Sequence, residues 1–434
     1  MTLLLSLAST VLFGLVPAIG SSRVSLVPAL KAADADSAGG RRRRLTGRNL
    51  LVIGQIAVSL MLLSASGFMF RAISRTLGAG PGFRVDHLLT TSYDPTLIGY
   101  SSEKARDFYK RLTNDSEHIP GVTEAALCQN IPMGNEQSGV SVVPEGFQLP
   151  RDREAINLFS NTVDEHYFDV MGIPVFSGRP FRATDNATSP PVVIVNEEFA
   201  RRYFPNQNAV GRRVRMGNAR GPALEVVGVV KTTKVLWIAE PPTEFLYLPY
   251  AQNLKANMTV VLHTNVDAAS ITPALRAAVR NIDPNQPVFD VRTMEYFYQK
   301  RAVEVPKMII QTTGTLGLMG LVLAVIGLYG LVAFSASRRT REIGLRMAIG
   351  ADRWSVLKLV LRQGLLLASA GVAIGLVLSG FAGRGVRAIF SGDELGIGTM
   401  LIMAAGMMAV SLIAAYAPAH RASRLDPMKV LRDE

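Results

Sequence analysis

Apolar residues along this chain gather into five long uncharged runs: Thr2–Ser22, Asn49–Phe70, Met308–Ser337, Gln363–Gly383 and Gly396–Arg421, the last trimmed at its charged end to 396–417. Each reaches the ~20 residues a helix needs to cross ~30 Å of hydrocarbon. A Lys, Arg or Asp at the centre of such a run would cost ~2.5–3.5 kcal/mol to insert. Their absence favours membrane spans over five buried core helices.

Between the second and third runs the pattern shortens and mixes. Ser101-Ser102 precede Ala105, Phe108 and Leu112, spaced as one helix face. Thr272-Pro273 predicts a second start, a capping hydroxyl followed by proline at the first helical position, with Leu275, Val279 and Ile282 inward. Asn196 opens a third, with Phe199 and Tyr203 one turn apart. Short β-branched runs at Val192–Val195, Glu225–Val230, Phe245–Leu248 and Val260–His263 predict strands. Gly134, Pro144, Gly211, Gly221-Pro222 and Pro241-Pro242 punctuate them. Helices and strands interleave irregularly, which predicts an α+β domain over residues 71–306.

Charge orients the spans. The net charge is +12 at pH 7. Residues 23–48, 338–362 and 418–434 together carry 18 Lys/Arg and 7 Asp/Glu, whereas the rest of the chain carries 28 and 27. The excess therefore lies in three short segments beside spans, the positive-inside pattern, and does not predict a nucleic-acid partner. The expected order is a cytoplasmic linker (23–48), a span (49–70), an outer periplasmic domain (71–306), a span (307–337), a cytoplasmic segment (338–362), two spans (363–383 and 396–417) around a short outer hairpin, and a cytoplasmic tail (418–434). The expected place is a bacterial inner membrane. The single cysteine, Cys128, falls in the outer domain and has no partner for an internal disulfide.

The run at residues 1–22 stands apart, with no Lys or Arg before it and no small-x-small cleavage site after it. Pro17–Lys31 aligns without gaps on Pro418–Arg432, with 5 identical positions, and both stretches directly follow an apolar run. This internal similarity predicts that the chain opens with the last span of a preceding copy of its own membrane unit.

Candidate chemistry in the outer domain is sparse. His87, His118, His166 and His263 are scattered in sequence, without the His-x-x-x-His or cysteine-pair spacing of a metal site. No Gly-x-Ser-x-Gly or Gly-x4-Gly-Lys-Ser/Thr occurs, so neither an esterase elbow nor a phosphate loop is expected. Trp237, Tyr247 and Tyr250 are expected to pack rather than to bind. No catalytic residue, metal or cofactor is predicted.

The most specific stretch is Arg338-Arg-Thr-Arg-Glu-Ile-Gly-Leu-Arg-Met-Ala-Ile-Gly-Ala351. As a helix it places Ile343, Met347 and Gly350 on one face and Glu342 four residues before Arg346, the favourable order for a helical ion pair. Physics alone leaves two readings open, a lipid anchor or a protein contact. The stretch resembles the signature after the second span of FtsX/MacB-type ABC transporter permeases. Gly82-Phe-Arg, Tyr167-Phe-Asp-Val-Met-Gly-Ile-Pro, Val195-Asn-Glu-Glu-Phe-Ala-Arg-Arg-Tyr-Phe-Pro, Tyr247-Leu-Pro-Tyr, Asp290-Val-Arg-Thr-Met and the tail Pro418–Pro427 resemble the second half of the double-length, acidobacterial-type members.

The resemblance implies an α-helical membrane domain of four spans, here with one extra leading span, and a large α+β MacB-like periplasmic core. It implies a permease of the mechanotransmission type, not itself an enzyme, moved by a separate cytoplasmic ABC ATPase. The ATPase contact would fall on Arg338, Arg339, Arg341, Glu342, Ile343, Gly344, Arg346, Met347, Ala348 and Gly350. A second permease unit, the lipid bilayer and a periplasmic adaptor protein are the other implied partners. The alternative is a membrane-anchored adaptor or regulator without transport, and a tethered hydrolase is the weakest reading. Gly371-x3-Gly375 and the series Gly314, Gly317, Gly320 and Gly327 predict close helix packing within the bilayer.

Overall fold

The computed structural model describes residues 47–134, 137–149, 153–350, 352–389 and 397–424. The leading run at 1–22 and nearly all of the 23–48 linker lie outside the described residues. So do the first stretch of the internal alignment and the part of the second beyond residue 424. Contacts divide the chain into a helical unit containing residues 311–385 and an α+β unit containing residues 69–310.

The elements in order are α1 (Gly47–Ala79), β1 (Leu88–Tyr93), α2 (Ser102–Glu117), β2 (Val122–Cys128), β3 (Ser138–Pro144), β4 (Ile156–Val163), α3 (Tyr167–Val170), β5 (Val175–Gly178) and β6 (Val192–Asn196). Then come α4 (Glu197–Tyr203), β7 (Arg213–Met216), β8 (Ala223–Val230), β9 (Phe245–Pro249), β10 (Met258–Thr264), α5 (Thr272–Ile282), β11 (Phe289–Thr293) and α6 (Met294–Tyr298). The chain closes with α7 (Val305–Ser337), α8 (Thr340–Ala348), α9 (Arg353–Ile389) and α10 (Ile397–Ser423).

Among the described residues, four helices are long and apolar enough to cross a membrane: α1, the continuous helix Met294–Ser337, α9 and α10. They contain the last four apolar runs, except for Gly396, which lies outside the described residues, and each helix is longer than its run. Residues 353–362, expected in a cytoplasmic segment, are the opening turns of α9. The glycines make the close contacts their spacing predicts. A Cβ on Gly320 would lie 2.4 Å from Ser59 Oγ, one on Gly317 2.9 Å from Leu63, and one on Gly371 2.8 Å from Ile56. α1 is thus flanked by glycine tracks on α7 and α9. Small residues let backbones approach where lipid is as apolar as leucine and provides no hydrophobic drive.

In the α+β unit, β11-β1-β10-β2 pair in that order and are all antiparallel. With α2 joining β1 to β2 and α5 joining β10 to β11, the connectivity is the split β-α-β-β-α-β arrangement. Residues 129–257 form one insertion between its second and third strands. There β4-β3-β7-β8-β6-β9 pair in sequence, and β9 returns parallel to β4. The six strands close into a ring, which removes free edges.

Local chemistry explains the elements. Ser101 caps α2, accepting from Lys104 N at 3.3 Å, and Ala105, Phe108 and Leu112 are buried as the spacing predicted. Asn196 caps α4 through Phe199 N at 2.9 Å, and the Phe199 and Tyr203 rings lie 4.7 Å apart. Thr272 departs from expectation: it is the first residue of α5, and no side chain caps the helix. A 3₁₀ turn, Ala268–Ile271, runs straight into α5, so no extended cap position exists for its hydroxyl to occupy. Leu275 and Val279 are buried, Ile282 only in part.

The motifs that carried the resemblance meet in the core. Arg84 donates from its backbone to Met171 O at 2.7 Å and from Nη1 to Val170 O at 2.9 Å, tying Gly82-Phe-Arg to Tyr167–Pro174. Gly82 has φ +88° and a Cβ there would lie 3.1 Å from Thr232 O, so this turn requires glycine. The Phe168 and Tyr247 rings are 5.0 Å apart, and Asn196 Oδ1 also accepts from Phe245 N. Tyr247 and Tyr250 are buried and Trp237 packs against the same core as Tyr247, so all three serve packing.

Candidate coupling surface

α7 ends in a tight turn. Arg338 N donates to Phe334 O at 3.1 Å, Arg339 N to Ala336 O at 3.1 Å, and Thr340 Oγ1 to Ser337 O at 2.7 Å. α8 then starts from Arg339, with Glu342 in its first turn and Arg346 in its last, both favourable with the helix dipole. Their side chains pair at 2.7 Å, each about half exposed. An exposed i,i+4 pair contributes only ~0.3–0.5 kcal/mol, so it trims the helix rather than holds it.

Packing holds it. Ile343 is 2% exposed and joins a buried cluster with Val356, Leu357 and Val360 of α9, with Met347 packed at its margin. Gly344 is buried beside them. Gly350 does not share this face. The helix stops at Ala348, Ile349 N donates to Leu345 O and Gly350 N to Met347 O. Gly350 takes φ +100°, the left-handed conformation that ends helices and that glycine adopts without strain. Arg338 lies over the Phe334 ring at 5.0 Å, and Arg48 of α1 lies over the same ring at 4.2 Å. Arg341 lies within α8; Ala351 lies outside the described residues.

The predicted residues thus fall on one short helix and its two ends, but they divide. Ile343, Gly344 and Met347 face the helical unit, while Glu342, Arg346, Ala348 and Gly350 are exposed. Sequence reasoning missed the outward apolar groups: Leu345 is 53%, Ile349 78% and Trp354 68% exposed. The available signal was a second apolar pair, Leu345 and Ile349 at a spacing of four, off the inward face. Behind α8 the resembling tail is anchored: Pro418, Ala419, Ala422 and Ser423 of α10 are buried, and Arg421 Nη1 donates to Tyr329 Oη at 3.1 Å.

In the α+β unit His87 Nδ1 lies 3.3 Å from Val266 O and His263 Nδ1 lies 2.8 Å from Thr123 Oγ1. His118 Nδ1 meets Asn114 O at 2.7 Å, and His166 precedes α3 without a side-chain capping bond. His87 and His263, distant in sequence, are neighbours across β1 and β10, where Leu88 pairs with His263. Burial first, then Arg84 and His87, hold His263 below its usual pKa. Among the described residues no three His, Cys, Asp or Glu side chains group to hold a metal.

The family model described as MacB-like periplasmic core domain matches residues 51–278, and the one described as FtsX-like permease C-terminal matches residues 314–427. The chain is 24% identical over 429 residues to the macrolide export ATP-binding/permease protein MacB of Mannheimia succiniciproducens, covering 96% of this chain and 62% of that protein. It is 28% identical over 311 residues to the protein of the same description from Salmonella paratyphi A, covering 68% of this chain and 47% of that one. The chain therefore spans less than two thirds of the length of these relatives. Among solved structures, the periplasmic region of MacB from Actinobacillus actinomycetemcomitans matches at 17% identity with a TM-score of 0.35, covering 52% of this chain and 97% of that one.

Proposed function

The chain belongs to the family of permeases that join a MacB-like periplasmic core domain to an FtsX-like membrane segment, and on that footing we propose that it is the permease subunit of a mechanotransmission ABC transporter. A separate cytoplasmic ATPase dimer grips α8 and its flanks, and closure of the dimer on ATP tilts the membrane helices and rearranges the periplasmic domain. The cargo is extruded or extracted without a polar path through the bilayer.

The observation that carries this reading is the two-sided burial of α8. Ile343 fixes the helix to the helical unit, so a force applied to α8 is delivered to α9 rather than absorbed by a loose loop. Leu345 and Ile349, four residues apart in sequence, stand exposed beside the Glu342–Arg346 pair, an apolar patch with a charged margin, and Trp354 is exposed at the start of α9. A patch of this kind suits a protein partner: apolar anchors supply affinity and rim charges supply register. A lipid anchor would suit the same basic flank less well, because the acidic Glu342 lies at its margin.

The test pairs two variants. Charge reversal at Arg341 and Arg346, and Leu345→Asp with Ile349→Asp, should each abolish co-purification of the ATPase while leaving membrane insertion and helix content unchanged. Undiminished co-purification with both variants would sink the assignment. A transport measurement on the intact pair then separates a transporter from an adaptor that binds an ATPase without moving cargo.

A further inference from the structure

At one end of the split β-α-β-β-α-β sheet, β1 leaves, β10 enters, β2 runs into its following loop and β11 begins. A cavity of about 350 Å³ opens there, lined among others by Ser92, Asp94, Gln129, Asn257, Phe289 and Arg292. That volume is at the lower end of the ~300–1,000 Å³ of small-molecule sites. Four separate chain segments contribute to it, and its lining differs from the usual apolar pocket in being chiefly polar.

Three irregularities coincide at this cavity. The β1–β11 register shifts between Thr90 and Ser92, a bulge of the kind that re-aims side chains. Asp290 takes φ +54°, a left-handed conformation that costs a non-glycine residue roughly 1 kcal/mol or more. Asp290 and the Phe297 ring together fix Arg292: the carboxylate forms an ion pair with its Nη2 at 2.8 Å, and the ring lies 4.1 Å beneath the guanidinium. Yet Arg292 Nε is buried with no hydrogen-bond partner. An orphaned buried donor costs ~1–3 kcal/mol. The bulge and the left-handed Asp290 therefore set the Arg292 side chain in the cavity wall.

The lining selects the ligand class. Asp94 and Asp290 put two carboxylates in the lining, and the Arg292 guanidinium is already paired with Asp290, so a phosphate or polycarboxylate is disfavoured. Ser92 and Thr259 share a hydroxyl–hydroxyl bond of 2.9 Å on the floor, and the exposed amide of Asn257 offers donors and an acceptor together. Phe289, 42% exposed, sets an aromatic ring at the rim. Interleaved donors and acceptors beside one exposed ring match a molecule with hydroxyls on its edge and C–H groups on its face. The geometry points to a binding site for a neutral carbohydrate of one or two pyranose rings in this cavity of the periplasmic domain.

The inference does not rest on the coupling role of α8, and its test involves no ATPase. The full chain, reconstituted in lipid nanodiscs without glycoside detergent, is applied to a printed array of mono- to tetrasaccharides beside empty nanodiscs. At least one neutral sugar should be retained, and saturation-transfer NMR with that sugar should show binding weakened by about tenfold or more in Arg292→Met and in Phe289→Ala. Phe176→Ala, which removes an exposed ring elsewhere in the same domain, should leave it unchanged. If Arg292→Met fails to fold, Asn257→Ala, on an exposed side chain, replaces it. No sugar retained above empty nanodiscs, equal binding by the cavity variants, or retention of acidic sugars alone would overturn the proposal.

Discussion

Replacing Gly371 by alanine isolates what holds the membrane helices together. The added Cβ would meet Ile56 Cβ and Cγ2 at 2.8 Å and Ile53 O at 3.1 Å. Carbon atoms pack best at ~3.5–4.0 Å, so α1 and α9 must part by several tenths of an ångström or Ile56 must turn away. Ile56 is 1% exposed and has nowhere to turn, and Ile53 O belongs to the backbone of α1. Overpacking of this kind costs ~1–3 kcal/mol. Against it stands the gain in helix propensity of alanine over glycine, ~1 kcal/mol. The net effect at Gly371 is a loss of ~0–2 kcal/mol, and leucine there should prevent assembly. Gly380, about two and a half turns further along the same helix, has open space where a Cβ would stand, with no atom within 4 Å. Gly380→Ala should therefore keep the propensity gain of up to ~1 kcal/mol. Thermal and SDS-induced unfolding of both variants in one micelle would compare them directly. A Gly371→Ala protein as stable as Gly380→Ala would refute close packing of α1 on α9.

Other perturbations probe the α+β unit. Burial pushes the Asp164 carboxyl well above its usual range, against the backbone N–H of Leu127 that donates to it at 2.8 Å. The native state then holds a proton more tightly than the unfolded chain, so this contribution is complete below pH ~3.9 and is lost as pH rises through the native value. Asp164→Asn should stabilise the protein at pH 8, with the difference shrinking toward pH 4 in denaturant titrations; a constant difference across that range would contradict the assignment. Asn196, 1% exposed, accepts from Phe199 N and Phe245 N and donates to Thr243 O at 2.7 Å. Its replacement by alanine should cost ~3 kcal/mol, above the ~1 kcal/mol of an ordinary cap, whereas Ser101→Ala should cost no more than an ordinary cap in the same melting experiment. Cys128 is fully buried and burial raises its thiol pKa, so a thiol reagent should label it only at the rate of unfolding. Rapid labelling under native conditions would show that β2 opens locally.

The last four membrane spans were legible because insertion needs only length and absence of charge, both local properties. α2 and α4 were legible for a similar reason: Ser101 and Asn196 satisfy their own helix starts within three residues. Four strands were read from β-branched runs. The other seven described strands were not; in β1, β2, β3 and β4 residues such as Thr, Ser, Ala and Gly dilute the alternation and pairing across the sheet decides them. The α8 stretch was recognisable as a unit, but its division into inward Ile343 and outward Leu345 depends on where α9 begins. Gly350 was misplaced because a helix stop reads like a helix face until φ is known.

By itself, then, the sequence determined the last four spans, the orientation expected from charge, the α+β character of the domain and the stretch that resembles a permease signature. These follow from local composition and from periods of two to four residues. Only the tertiary structure decided that residues 129–257 close a six-stranded ring inside a split sheet, that α1 lies between two glycine tracks, and that Ser92, Asn257 and Arg292 line one cavity. Each joins residues separated by tens to hundreds of positions, and such pairings are set by the summed packing of the whole domain, which no local window contains.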